Sequence, residues 1–126
     1  MQETGATMVV CLNEVVELQD RYPRYVDWLR GGGRAIWHPI PDLHAPHVDD
    51  AKALVRQLRS HLDAGETLLL HCGAGIGRAG TIAAAVLMSM GVPLEEALAT
   101  VAANRPMAGP EAGAQRDLLE ALATAP

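Results

Sequence analysis

Phenylalanine is absent from this 126-residue chain, and only two tryptophans and two tyrosines supply aromatic rings. A core must therefore be built from Leu, Val, Ile, Ala and Met, and an apolar share of 49 % makes that feasible. Basic residues are also scarce. Ten Lys and Arg stand against fifteen Asp and Glu, for a formal net charge of −5. That balance argues against a nucleic-acid partner, which needs a basic stripe, but leaves room for a local anion site. The two cysteines, Cys11 and Cys72, show no CxxC or Cys/His spacing of a zinc site, so neither metal nor cofactor is expected. No apolar run approaches the ~20 residues that cross a bilayer; the longest is Ile82 to Met90. Met1 to Thr7 is polar, without the apolar stretch of a signal peptide. A cytoplasmic, reducing location without a membrane partner is expected, in which Cys72 stays a thiol. The length suits one domain, residues 1–126, and a monomer is expected.

What the chain does contain alternates between two periodicities. Met8-Val9-Val10-Cys11-Leu12 is a buried-strand signal, and Asn13 to Asp20 reads as a short helix with Asn13 as cap. A helical turn begins at Pro23 and ends at Gly31-Gly32-Gly33. Ala35 to His38 reads as a second strand. Pro39-Ile40-Pro41-Asp42 must then be a loop, since two prolines do not fit a central strand. Val48 to Leu62 places Val48, Ala51, Leu54, Val55 and Leu58 on one helical face. Leu68-Leu69-Leu70 is a continuous apolar strand of the kind found in parallel sheets. A helix of small apolar residues follows from about Arg78 to Met90, and two more span Leu94 to Ala103 and Glu111 to Ala123. The predicted fold is α/β, one compact domain with a mainly parallel sheet flanked by helices. Its Cys-x5-Arg loop lies between a central strand and a buried helix.

The chemistry concentrates in His71-Cys72-Gly73-Ala74-Gly75-Ile76-Gly77-Arg78-Ala79-Gly80-Thr81. The three glycines between strand and helix let backbone N–H groups turn inward, and such a nest at a helix N-terminus binds an anion. The same field favours a thiolate, the nucleophilic form of cysteine. Arg78 supplies a planar fork that holds two phosphoryl oxygens. A cation at a helix start is unfavourable unless an anion accompanies it. Thr81 can turn its hydroxyl back toward the sulfur. A thiolate, a nest and an arginine in one loop point to phosphoryl transfer through a cysteinyl-phosphate.

This loop resembles the signature of the protein tyrosine phosphatase superfamily, His-Cys-x-x-Gly-x-x-Arg-x-Gly-Thr in its fuller form. The resemblance extends to Val9 through Glu14, which is similar to the early strand of small, atypical dual-specificity phosphatases. Pro39-Ile40-Pro41-Asp42, with Pro46, resembles their general-acid loop. Asn104-Arg105-Pro106 and Gln115 resemble their C-terminal segment. The resemblance implies Cys72 as nucleophile, Arg78 as phosphate clamp, Asp42 as general acid and Thr81 as an aid to sulfur departure. Residues Gly73, Ala74, Gly75, Ile76 and Gly77 would cradle the phosphate through their amides. His71 would support the loop. Gln115 is either a residue that orients the hydrolytic water or a solvated helix residue. Asp42 alone would read as a turn residue after Pro41. Cys11 reads as a small buried hydrophobe, with pairing to an oxidised Cys72 as the lesser alternative. His44 and His47 read as exposed loop residues.

The implied substrate is a phosphorylated protein or peptide bearing phosphotyrosine, with phosphoserine or phosphothreonine as further candidates. The alternative is a lipid or other small phosphomonoester, whose phosphatases often carry Lys or Arg inside the loop. Residues 73–77 are neutral here. A non-catalytic phosphate-binding module would have to retain Cys72, Asp42 and Arg78 without using them.

Overall fold

The computed structural model describes residues 8–31, 33–42, 44–72, 77–104, 109–111 and 113–124. Residues 73–76 of the expected phosphate cradle and the Arg105-Pro106 pair lie outside the described residues. The elements run β1 (Met8–Cys11), α1 (Val15–Leu18), α2 (Pro23–Arg30), β2 (Ala35–Trp37), α3 (Val48–Asp63), β3 (Leu68–His71), α4 (Arg78–Ser89), α5 (Leu94–Asn104) and α6 (Gly113–Thr124).

The three strands form a parallel sheet in the order β2-β1-β3. Parallel neighbours require crossovers. α1 and α2 make the first and α3 the second, so the C-terminal strand ends open on one edge where a ligand site belongs. β1 is the middle strand and is buried throughout. β3, expected to be central, instead lies at an edge of the sheet among the described residues, and Leu69 is 39 % exposed. A continuous apolar run does not distinguish the two positions, because it reports hydrophobicity and not how many neighbours the strand has.

Strand alternation divides the core in two. Val10 and Leu12 pack with α3 and α4 and with Cys72 on one face. Cys11, facing the other way, packs with Leu18, Val26 and Leu29 of α1 and α2. His71 is the register partner of Cys11 and shares its face, so Cys72, one residue on, points to the opposite side. A direct disulfide needs two Cβ vectors that face each other, and Cys11 and Cys72 belong to separate clusters. Cys11 is thus the small buried hydrophobe of the sequence reading.

Helix α4 is the hub. Arg78 to Ile82 and Ala84 to Val86 are all buried, and the helix packs against β3, α3, α5 and α6. Its alanines and glycine allow close approach from several sides. Gly91, at φ +96°, ends it in a conformation that L side chains rarely adopt. α3 buries Ala51, Leu54, Val55 and Leu58, the predicted face, and His47 caps it through a bond from the Asp49 N–H. α1 is shorter than predicted and Asn13 does not cap it. The N-cap is Glu14, and Asn13 is buried at 3 % exposure.

Candidate active site

The site is assembled from the strand ends and the start of α4. Cys72 leaves β3 buried, at 2 % exposure, and its Sγ accepts the Ala79 backbone N–H at 3.1 Å. One orphan donor of the first turn of α4 is therefore aimed at the sulfur. Thr81, expected to reach the sulfur, donates its hydroxyl to the Gly77 carbonyl at 2.7 Å. That is a bond one turn back along the helix, so it braces the end of the loop, while the helix backbone serves the sulfur.

Arg78 is tightly held. Its side chain is 3 % exposed. Nη1 donates to Glu17 Oε2 at 2.7 Å and to the Ile40 carbonyl at 2.8 Å, and Nη2 donates to Glu17 Oε1 at 2.8 Å. Nε is buried and has no hydrogen-bond partner among the described residues. Buried donors are nearly always satisfied; Arg59 Nε is unpartnered in the same way, and Arg78 is set apart by the Cys72 thiol nearby. Glu17 is held in turn by the Asn13 amide at 3.0 Å and the Glu14 backbone N–H at 2.7 Å. The bond from Arg78 is the main reason that the Glu17 carboxyl titrates low, at about 2. Reciprocally, the Glu17 bond raises the Arg78 guanidinium further above its ordinary value.

Asp42 stands on the Pro39–Pro41 loop, which continues alongside β1 through His38 N–H to Cys11 carbonyl and Ile40 N–H to Leu12 carbonyl. Its carboxylate is 69 % exposed with Oδ1 3.7 Å from Arg78 Nη2. An accessible carboxyl beside the clamp is the geometry required of a proton donor to a leaving oxygen.

Gln115 is neither solvated nor open to water. It is 1 % exposed; its Oε1 accepts the Glu111 N–H at 2.7 Å and its Nε2 donates to the His44 carbonyl at 3.2 Å. It ties α6 to the acid loop two residues beyond Asp42. His71 meets Tyr25 Oη through Nε2 at 2.5 Å, with the rings 5.6 Å apart, and burial lowers its pKa. A neutral imidazole fixed to a tyrosine fits loop support. Asn13, Glu17, Leu18, Tyr22, Tyr25 and His71 line a cleft of roughly 470 Å³ alongside the Glu17–Arg78 pair.

A family model described as a Swiss Army Knife protein, DSP-PTPase phosphatase domain, matches residues 2–121. This chain belongs to the dual-specificity phosphatases of the protein tyrosine phosphatase superfamily. Among solved structures, Tk-PTP in its active form is 35 % identical with a TM-score of 0.81, covering 95 % of this chain and 80 % of its own. Kinase associated phosphatase, with its catalytic-site cysteine replaced by serine, shares the fold at 22 % identity and a TM-score of 0.83, covering 99 % and 75 %. PTPMT1 does so at 20 % identity and 0.78, covering 96 % and 78 %. No match is found among curated proteins.

Within this phosphatase domain the structure brings Cys72, Arg78 and Asp42 to one end of the sheet. It also adds residues that sequence reasoning passed over. Asn13 read as a helix cap and Glu17 as part of the ordinary short helix after it. The only sequence signal was their spacing of four, which puts them on one side of a helical turn. Glu111 read as the start of the last helix. It lies instead before α6, with its carboxylate against Gly77: a Cβ on Gly77 would meet Glu111 Oε1 at 2.2 Å. Among the described residues no cluster of His, Cys, Asp or Glu is arranged to hold a metal, and no helix is long and apolar enough to cross a membrane.

Proposed function

We propose that residues 1–126 act as one catalytic domain that hydrolyses phosphomonoesters on phosphoproteins, with phosphotyrosine as substrate and phosphoserine or phosphothreonine as further candidates. The observation that carries this is Arg78, buried and fixed at both Nη atoms, with Nε unpartnered among the described residues. In the first step Cys72 Sγ attacks phosphorus in line, the phosphorus–oxygen bond breaks, and Asp42 gives its proton to the leaving oxygen. In the second step water attacks the cysteinyl-phosphate, Asp42 takes the water's proton, and the sulfur–phosphorus bond breaks. The Ala79 N–H bonds the sulfur as it leaves, and inorganic phosphate is released. Arg78 and the loop amides supply electrostatic stabilisation without a metal. Thr81 acts by bracing Gly77.

The neutral stretch of residues 73–77 supports a singly phosphorylated protein substrate. A lipid phosphate is the second reading, favoured by the fold shared with PTPMT1, which has been solved in complex with PI(5)P. Turnover on phosphotyrosine, phosphothreonine and phosphoinositide substrates separates the two. Cys72→Ser should abolish turnover and keep phosphate binding. Substantial turnover by that variant would refute the mechanism. A cytoplasmic, monomeric enzyme is part of the same proposal.

A further inference from the structure

At the end of α4 away from Arg78, a groove of roughly 430 Å³ opens between α3, α4 and α6. Val55, Ala85, Met88 and Leu122 make it largely apolar, and methionine adapts its shape to what it meets. Lys52 and Arg56 border it, four residues apart on one side of α3. Neither has an ion-pair partner among the described residues, whereas Arg34, Arg78 and Arg116 are each paired with glutamate. Arg59, further along α3, is already committed: its Nη1 donates to the Ser89 carbonyl at 2.8 Å, at the negative end of α4. No carboxylate lines the groove among the described residues, and Glu3 is the one acidic side chain outside them. In a chain of net charge −5, an apolar groove bordered by two unmatched cations is complementary to an acidic, aliphatic ligand.

We propose that this groove docks an acidic segment of the phosphoprotein substrate, one that carries an aliphatic side chain and lies apart from the phosphorylated residue. The inference rests on the phosphatase reading and deepens it by giving the substrate a second point of attachment. The aliphatic side chain would sit against Val55, Met88 and Leu122, and the carboxylates would meet Lys52 and Arg56. By the rise of an α-helix, Met88 lies roughly 15 Å along α4 from Arg78. One flexible segment of substrate can therefore reach both sites, and the second attachment becomes intramolecular. Exposed ion pairs contribute little one at a time, so the apolar contact has to supply much of the affinity and the charges its selectivity. The groove suits a side chain better than a flat membrane surface, because its apolar wall is recessed: Ala85 and Val55 are 3 % and 8 % exposed.

The test uses a peptide with one phosphotyrosine, joined by a flexible linker of about twenty residues to glutamates around a leucine. Such a linker spans roughly 25 Å, enough for the length of α4 and the path over the surface. The control peptide carries glutamine for glutamate and serine for leucine. On the unaltered protein the acidic peptide should have a KM about tenfold lower than the control, with kcat unchanged. Lys52→Glu/Arg56→Glu should remove that advantage and leave turnover of the control as it was. Equal KM values on the unaltered protein, or an advantage that survives in the double variant, overturn the proposal. The acidic segment without phosphotyrosine reads the groove apart from catalysis. It should shift the Met88 methyl NMR signal saturably in the unaltered protein and not in the double variant. No such shift, or a shift only with phosphatidylserine vesicles, overturns docking of a protein segment. Turnover without the KM difference rejects the groove alone. Absence of turnover with every peptide rejects the phosphatase reading, and with it the groove's role in holding a substrate.

Discussion

Glu17 and Arg78, sixty-one positions apart, meet through two hydrogen bonds, Nη1 to Oε2 at 2.7 Å and Nη2 to Oε1 at 2.8 Å. The pair leaves Nε as the free edge of the guanidinium. In the proposed mechanism it decides which face of Arg78 a phosphoryl group meets. Without Glu17 the side chain would have a single firm anchor, the Ile40 carbonyl.

Glu17→Gln should weaken oxyanion binding about tenfold, because a charge-assisted two-point contact becomes at best a single neutral one. Vanadate inhibition constants check this. The same variant should change the acid response. Glu17 titrates at about 2 in the folded protein against 4.5 ordinarily. A lowered folded value stabilises the protein above pH 4.5, and that stability is lost as pH falls from 4.5 toward 2. Its size is on the order of 1 kcal/mol once partial exposure of the carboxylate is allowed for. Denaturant midpoints measured across that window should fall more steeply for the native protein than for the Gln variant.

Asp42→Asn should lower kcat roughly 10²- to 10⁴-fold on an alkyl phosphate, whose leaving group needs a proton. On an aryl phosphate with a good leaving group the loss should be far smaller. Equal losses on both would show that the proton comes from elsewhere, and Asp49 and Asp50 would be tested next.

Gln115→Leu keeps the volume but removes both hydrogen bonds, leaving the Glu111 N–H and the His44 carbonyl without the side chain that joins them. The expected cost is about 1–3 kcal/mol of stability, read from thermal or denaturant unfolding. Activity should fall more on alkyl than on aryl phosphates, because the acid loop loses its tie to α6. A uniform loss would mean that Gln115 supports the fold and not the position of Asp42.

Full activity is expected in EDTA, with strong inhibition by vanadate as a phosphate-like oxyanion. In the proposed mechanism the stabilising groups are a guanidinium and backbone amides. Loss of activity on chelation, restored by a divalent ion, would overturn the metal-free mechanism.

The sequence by itself determined the α/β fold and the Cys72–Arg78 loop. Both are written in short-range patterns: Cys72 to Arg78 is a contiguous motif, and the helical face of α3 and the small-residue helix α4 follow from periodicity. The loop that carries Asp42 was legible because two prolines mark it. Strand position was not, since the apolar run of β3 looks the same at an edge or in the middle. Nor could sequence reveal that Glu17 secures Arg78, that Gln115 is buried between α6 and the acid loop, or that the Glu111 carboxylate covers Gly77. The separation of Cys11 from Cys72 likewise depends on which way each side chain leaves its strand. Each of these is a contact between segments distant in the chain. A carboxylate or amide carries no local mark of its partner until packing brings the two together and burial makes an unmatched polar group costly.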